Sequence, residues 1–165
     1  MNWSGMKLIL LILFSFLLIL LFVVIFFGLI RTLYVQNNAN QKEFLSGRVP
    51  KNMPHGFYKG SIGNIKVPWL GKRFDSKKSM GINRFADEKG KTGEKYPFTT
   101  YVGDGIQDKN FKVLKIDYAV NKSPWWIKYI LDEVVETASG RYLGKVHVTI
   151  LPGIPLTLGY FRLAK

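Results

Sequence analysis

Leu131-Asp132-Glu133-Val134-Val135-Glu136 is followed, after Thr137, by Ala138-Ser139-Gly140 and then by Arg141-Tyr142-Leu143-Gly144-Lys145-Val146-His147-Val148. The first of these runs can be read as the continuation of a helix begun at Trp125 or as a strand. The compact Gly-containing turn between two runs rich in branched apolar and aromatic residues decides for two strands of a hairpin. A hairpin here makes the C-terminal part of the chain antiparallel β, and the segments on either side agree. Downstream, Pro152-Gly153-Ile154-Pro155 turns the chain into a last strand over 156–163. Upstream, Phe111-Lys112-Val113-Leu114-Lys115-Ile116-Asp117-Tyr118 is the clearest strand, yet neither its odd nor its even positions separate into a wet and a dry face. Mixed faces of that kind predict a small barrel whose interior holds a few polar groups.

Earlier strands are expected at 98–102, ahead of the turn Gly103-Asp104-Gly105, and at 83–86, 65–74 and 55–61. Residues 75–95 are basic, and Asp87-Glu88-Lys89-Gly90-Lys91-Thr92-Gly93 is a polar loop within them. One short helix is predicted where Ser123-Pro124 offers a cap and a first-turn proline before Trp125-Trp126-Ile127. The total is seven or eight short strands and one small helix, a mainly β domain built as an antiparallel barrel or strongly curved sheet. An α+β roll is the competing arrangement.

Ahead of this domain, Leu8 to Ile30 is an unbroken run of 23 residues without a charge, an amide or a proline. A hydrocarbon core about 30 Å thick needs roughly 20 such residues as a helix. The run exceeds the roughly 7–15 residues of a signal-peptide apolar region and ends without a small-x-small site, so an uncleaved transmembrane anchor is expected. The chain then divides into a head (1–7), a transmembrane helix (8–30), a juxtamembrane tether (31–54) and a β domain (55–165). The tether reading rests on Gln36-Asn37-Asn38-Ala39-Asn40-Gln41-Lys42, which is polar and without apolar period, and on Pro50 and Pro54, which disfavour helix at the residue before each. Arg31 and Tyr34 are expected at the headgroup level, and Trp125 and Trp126 are candidates for the same interface. Counting Lys and Arg on either side of the span favours a cytoplasmic domain, whereas a short charged head before a long span is the layout of a signal-anchor that exports its C-terminus. The second reading, a single-pass protein with an extracytoplasmic domain, is preferred.

Charge and composition limit the function classes. Of 24 Lys and Arg residues only Lys7 precedes the span, so 23 basic and 11 acidic side chains fall on the far side. The nearest polyanion for such a domain is an anionic lipid surface, at about 1 kcal/mol per juxtamembrane base. Nucleic acid is not expected, because no motif accompanies the charge. With no cysteine and only His55 and His147, neither disulfides nor a metal site is supplied, and no cofactor is implied. His147, between Val146 and Val148, is expected on the opposite face from both, towards solvent or headgroups. No Gly-x-Ser-x-Gly elbow accompanies it, and no catalytic residue is assigned. Asn121-Lys122-Ser123 matches a glycosylation sequon, a triplet common by chance.

The segments Gly56-Phe57-Tyr58-Lys59-Gly60, Trp69-Leu70-Gly71-Lys72-Arg73-Phe74, Asp132-Glu133 and Tyr142-Leu143-Gly144-Lys145 are spaced like strands of small lipocalin-like proteins, and the chain resembles that broad class from Gly56 to Leu163. In the class a Gly-x-aromatic stretch opens the barrel and a Gly-Lys-x-Phe stretch lies on an early strand; Gly56-Phe57-Tyr58 stands where the class has Gly-x-Trp. The resemblance implies a barrel whose interior takes a small molecule. Tyr58, Trp69, Lys72, Asp117, Glu133, Tyr142 and Lys145 are the expected ligand-contacting residues, with the condition that at most one of Asp132 and Glu133 points inward. The expected function is a membrane-anchored binding module for a hydrophobic or amphiphilic molecule. An accessory subunit docked to a protein partner, and an enzyme using a cavity carboxylate, are the alternatives.

Overall fold

The structure, a computed structural model, describes residues 3–121 and 123–165; Lys122 of the Asn121-Lys122-Ser123 triplet and the first two residues of the head lie outside them. Two helices, α1 (Trp3–Gln36) and α2 (Ala39–Ser46), precede eight strands: β1 (Gly56–Ser61), β2 (Trp69–Asp75), β3 (Met80–Ala86), β4 (Thr92–Asp104), β5 (Lys112–Asp117), β6 (Ile130–Ala138), β7 (Arg141–Leu151) and β8 (Ile154–Ala164). A 3-10 turn, Trp125–Tyr129, leads into β6. All strands are antiparallel neighbours in sequence order, and β1 closes the barrel on β8 through the pairs Lys59↔Ala164, Gly60↔Leu163 and Ser61↔Arg162. The mainly β fold and the hairpin from 131 to 148 stand as the sequence reading has them. Closure leaves no open sheet edge.

Alternation along the strands sends one set of side chains inward. Tyr58, Phe74, Phe98, Leu114, Ile116, Tyr118, Val134, Tyr142, Phe161 and Leu163 form the interior core, joined by Ile127 from the 3-10 turn. A second cluster, Phe44, Val113, Val135 and Leu143, lies outside the barrel wall beneath α2. Strands β5, β6 and β7 are thus buried on both faces, which is the physical reason their sequences do not sort into wet and dry. Gly71, at φ +136°, sits where β2 is irregular opposite β3, and a Cβ there would run into the backbone of Tyr58 and Gly60. Only glycine lets the two strands approach so closely.

The N-terminal helix extends beyond the 8–30 run in both directions. Its portion Gly5–Gln36 is long and apolar enough to cross a membrane; its most apolar window has a mean hydropathy of 3.6 and is left uncovered by the rest of the chain, whereas Thr32 and Val35 near its end are buried. From Gly28 onward it packs on β8 as one continuous helix. Segment 31–54 is correspondingly not a structureless tether. Asn38 accepts a hydrogen bond from the Gln41 amide and caps α2, whose Gln41 and Phe44 face the barrel wall and are buried. Arg48 exchanges two backbone hydrogen bonds with Glu136 (3.2 and 2.7 Å), so the β domain recruits chain from well before residue 55.

Candidate functional site

Inside the barrel, at the end where the 3-10 turn sits, a cavity of about 230 Å³ opens between Ile62, Phe85, Tyr96, Trp126, Ile127 and Val146. Its walls are otherwise Trp69, Ile130 and Phe161, and its floor is polar: Lys72, Asn83, Tyr118 and Asp132. Strand register explains the floor. Asn83 lies opposite Lys72 on β3, and Asp132 opposite Ile116 on β6, two residues from Tyr118. These inward positions converge at one depth of the barrel.

The floor is a nearly closed hydrogen-bond set. Lys72 Nζ donates to Asn83 Oδ1 (2.9 Å), to the Tyr118 hydroxyl, and to Asp132 Oδ2 (2.9 Å), which uses all three of its protons. Tyr118 donates to Asp132 Oδ2 (2.9 Å), and Asn83 Oδ1 also accepts from Trp69 Nε1 (3.0 Å). Asn83 Nδ2 donates to the Tyr96 carbonyl (3.1 Å). Four aromatic rings, those of Trp69, Phe98, Tyr118 and Phe161, lie within 5.4 Å of the ammonium. Burial holds the Lys72 pKa below its ordinary value despite Asp132, and burial followed by the Asp132 charge holds the Tyr118 phenol well above its own. Asp132 Oδ1 takes no part in these bonds.

Of the seven predicted ligand residues, Trp69 and Lys72 line this cavity. Tyr58 and Tyr142 are also inside the barrel but towards its opposite end, packed edge-to-face on one another at 5.2 Å as part of the core. Asp117, Glu133 and Lys145 do not contribute to the interior. Asp117, on the outer side of β5, accepts from the Ala119 amide (2.8 Å) and from Tyr101. Of the two adjacent carboxylates Asp132 is the inward one, so Glu133 points out. Tyr118, Asn83 and Phe161 are members the sequence reading missed. For Asp132 the signal was its two-residue spacing from Val134 in a strand whose inward face is apolar.

Glu133 and Lys145 instead belong to a second polar set, buried between the barrel wall and the helices. Glu133 Oε1 accepts from the Ile106 amide (2.6 Å) and Lys115 Nζ (3.2 Å), while Oε2 lies 3.1 Å from His147 Nε2. His147 Nδ1 lies 3.0 Å from the Thr157 hydroxyl. His147 does face outward, as expected, but α1 and the 105–111 loop cover this side of the barrel, and it is buried rather than wet. Burial raises the Glu133 pKa, but the bonds from His147 and Ile106 together with the Lys115 charge outweigh it and hold the carboxyl below its ordinary value. Lys145 Nζ binds Asp108 Oδ2 at 2.5 Å above the Phe44 ring, and Gln41 joins Asp108 (2.7 Å) to the Tyr160 hydroxyl (2.5 Å). The bonds of Glu133 to Ile106, of Lys145 to Asp108 and of Gln41 to Asp108 and Tyr160 tie the loop and α2 to the wall, while Lys115, Glu133, His147 and Thr157 link β5 to β8 along it.

The predicted interface residues lie on the outside. Arg31 Nε donates to the Leu158 carbonyl (2.8 Å) with its guanidinium over the exposed Tyr34 ring. Trp125 is 75% exposed, and Trp126 packs against Tyr96.

No family model matches the chain, and no curated protein matches it. A solved structure, a protein from Thermomonospora curvata, is similar over 72% of this chain and 79% of that one, at 16% identity and a TM-score of 0.49.

Proposed function

We propose that the protein is a membrane-anchored, lipocalin-like binding module for an uncharged amphiphile carrying a hydrogen-bond donor. The observation that carries this reading is the cavity: apolar walls, an open mouth, and a floor whose one unengaged group is an acceptor. The Lys72 charge is balanced by Asp132 and all its protons are engaged, so a fatty-acid carboxylate or a phosphate would find no donor there. A hydroxyl or amide N–H would find Asp132 Oδ1. At about 230 Å³ the cavity is smaller than the roughly 300–1,000 Å³ of sites that enclose a drug-sized molecule. It accommodates one end of a guest and leaves the rest at the mouth. The anchor, the apolar length of α1, keeps the barrel where such molecules concentrate.

The test is lipid extraction and mass spectrometry on the full chain purified in mild detergent, beside Val146→Phe, which fills the cavity from its wall. The expected result is a neutral, donor-bearing amphiphile on the wild type, reduced at least about tenfold in V146F, which corresponds to about 1.4 kcal/mol. Identical lipid content in both proteins, or enrichment of an anionic lipid in the cavity, would overturn the reading.

A further inference from the structure

The direction of α1 relative to the barrel has a consequence for the mouth. Gly28 of α1 lies against the Leu156 side chain, Arg31 bonds Leu158, Thr32 bonds Thr157, and the Tyr160 hydroxyl reaches the Val35 carbonyl (3.4 Å). Both elements therefore run the same way. From Gly28 to Val35 a helix rises about 10 Å, and from Leu156 to Tyr160 a strand advances about 13 Å. The end of the barrel that β8 leaves is the end nearest the apolar length of α1, and the end it approaches is the far one.

The cavity mouth is at the near end. The loops there are 62–68, 87–91, the segment from 118 through the 3-10 turn, and the β7–β8 turn, and the first three carry the cavity-lining Ile62, Phe85 and Trp126 on or beside them. Register ties these segments to α1: Ile130 pairs with Val148, which pairs with Leu156, which touches Gly28. The apolar run ends at Ile30, so Gly28 is still within it. The residues beyond Leu156 towards the turn, Leu151-Pro152-Gly153-Ile154-Pro155, carry no charge. Trp125, Tyr129 and Ile65 protrude from the same rim at 75%, 52% and 67% exposure. Exposed aromatic and apolar groups beside an apolar span are the composition of a headgroup-level surface. Lys66, Lys89, Lys91 and Lys128 outnumber Asp87 and Glu88 there, which matches an anionic leaflet.

We infer that the barrel rests mouth-down on the bilayer that α1 crosses, with Trp125, Tyr129, Ile65 and the β7–β8 turn in the headgroup layer, so that the cavity communicates with the leaflet rather than with bulk water. The orientation rests on the geometry and composition of the rim and on the proposed membrane span of α1; the identification of the leaflet as the source of a guest rests also on the binding reading.

The absence of cysteine allows single labels. Full-length Trp125→Cys, Ile65→Cys and, at the far end, Ser139→Cys are each labelled with an environment-sensitive fluorophore and reconstituted in vesicles of phosphatidylcholine and phosphatidylglycerol, with and without brominated acyl chains. The two rim labels are expected to be quenched several-fold more by brominated lipid than the Ser139→Cys label, and to be shielded from aqueous iodide. Equal quenching at both ends overturns the inference. So does a rim shielded from iodide but untouched by brominated lipid, which marks a protein partner or a second copy on that face. Lipid extraction separates the two readings: quenched rims with an empty cavity leave the orientation standing and remove the binding function, whereas an occupied cavity with wet rims does the reverse.

Discussion

Thr32 on α1 accepts a hydrogen bond from the backbone N–H of Thr157 on β8 at 2.8 Å and donates one from its own hydroxyl to the Gly28 carbonyl at 2.9 Å, so a helix and a strand 125 residues apart share one buried bond. Replacing Thr32 by valine keeps the shape and removes the acceptor. Orphaning a buried N–H costs about 1–3 kcal/mol. Thr32→Val should lower the thermal midpoint of the full chain in detergent and speed amide exchange selectively at Thr157, with the far end of the barrel unaffected.

Glu133 makes the polar set between the barrel wall and the helices sensitive to acid. A carboxyl held below its unfolded pKa adds stability that is complete above the unfolded value, here 4.5, and is lost as pH falls through the lower folded value. Stability should therefore decline as pH drops below 4.5, with Glu43, lowered by its bond from Arg162, adding a smaller and solvent-screened part on the exposed side. Glu133→Gln should be less stable at neutral pH by about 2 kcal/mol and should flatten the acid limb. Thermal midpoints of both proteins between about pH 3 and 7 measure this; parallel curves would assign the acid sensitivity elsewhere.

Lys72 and Asp132 should behave as a pair. Asp132→Ala leaves an ammonium without its counter-charge in the barrel and should cost about 3–5 kcal/mol. The double change Lys72→Met with Asp132→Leu removes both charges and should recover most of that loss. The double variant separates stability from recognition: it is expected to fold, keep its apolar cavity, and lose the preference for donor-bearing guests in the extraction assay.

Gly71 has a purely conformational role. Its φ of +136° and the absence of room for a Cβ predict that Gly71→Ala destabilises more than an exposed loop glycine does. Gly90→Ala, also at positive φ but with open space around it, is the control, and the difference between their unfolding midpoints isolates the close approach of β1 and β2 from the cost of backbone strain.

The eight strands were legible because glycine- and proline-bearing turns separate short runs of branched and aromatic residues, from Gly56 to Leu163. Which face is interior was not legible for β5–β7. Val113, Val135 and Leu143 are as apolar as Leu114, Val134 and Ile116, since α2 covers one set and the barrel encloses the other. That two-sided burial is why Glu133 and Lys145 looked like interior groups. Nor could α2 be read: in Ala39–Ser46 only Gln41 and Phe44 are buried, and a two-residue stripe is no detectable period. Lys72 and Trp69 were found because a Gly-Lys-x-Phe run places them on an early strand. Asn83 and Tyr118 carry no local signal, and only the barrel's register brings them to Lys72.

Because α1 continues without a break from its apolar length into the bonds made by Arg31, Thr32 and Val35, helix and barrel move as one lever. A leash would leave the barrel indifferent to the thickness of the bilayer beneath it. A lever does not: a span that tilts to fit a thinner hydrocarbon layer swings the barrel through the same angle. With α1 crossing a bilayer as proposed, the thickness of that bilayer would become a mechanical input, raising or lowering one side of the cavity's rim with no ligand, proton or partner involved.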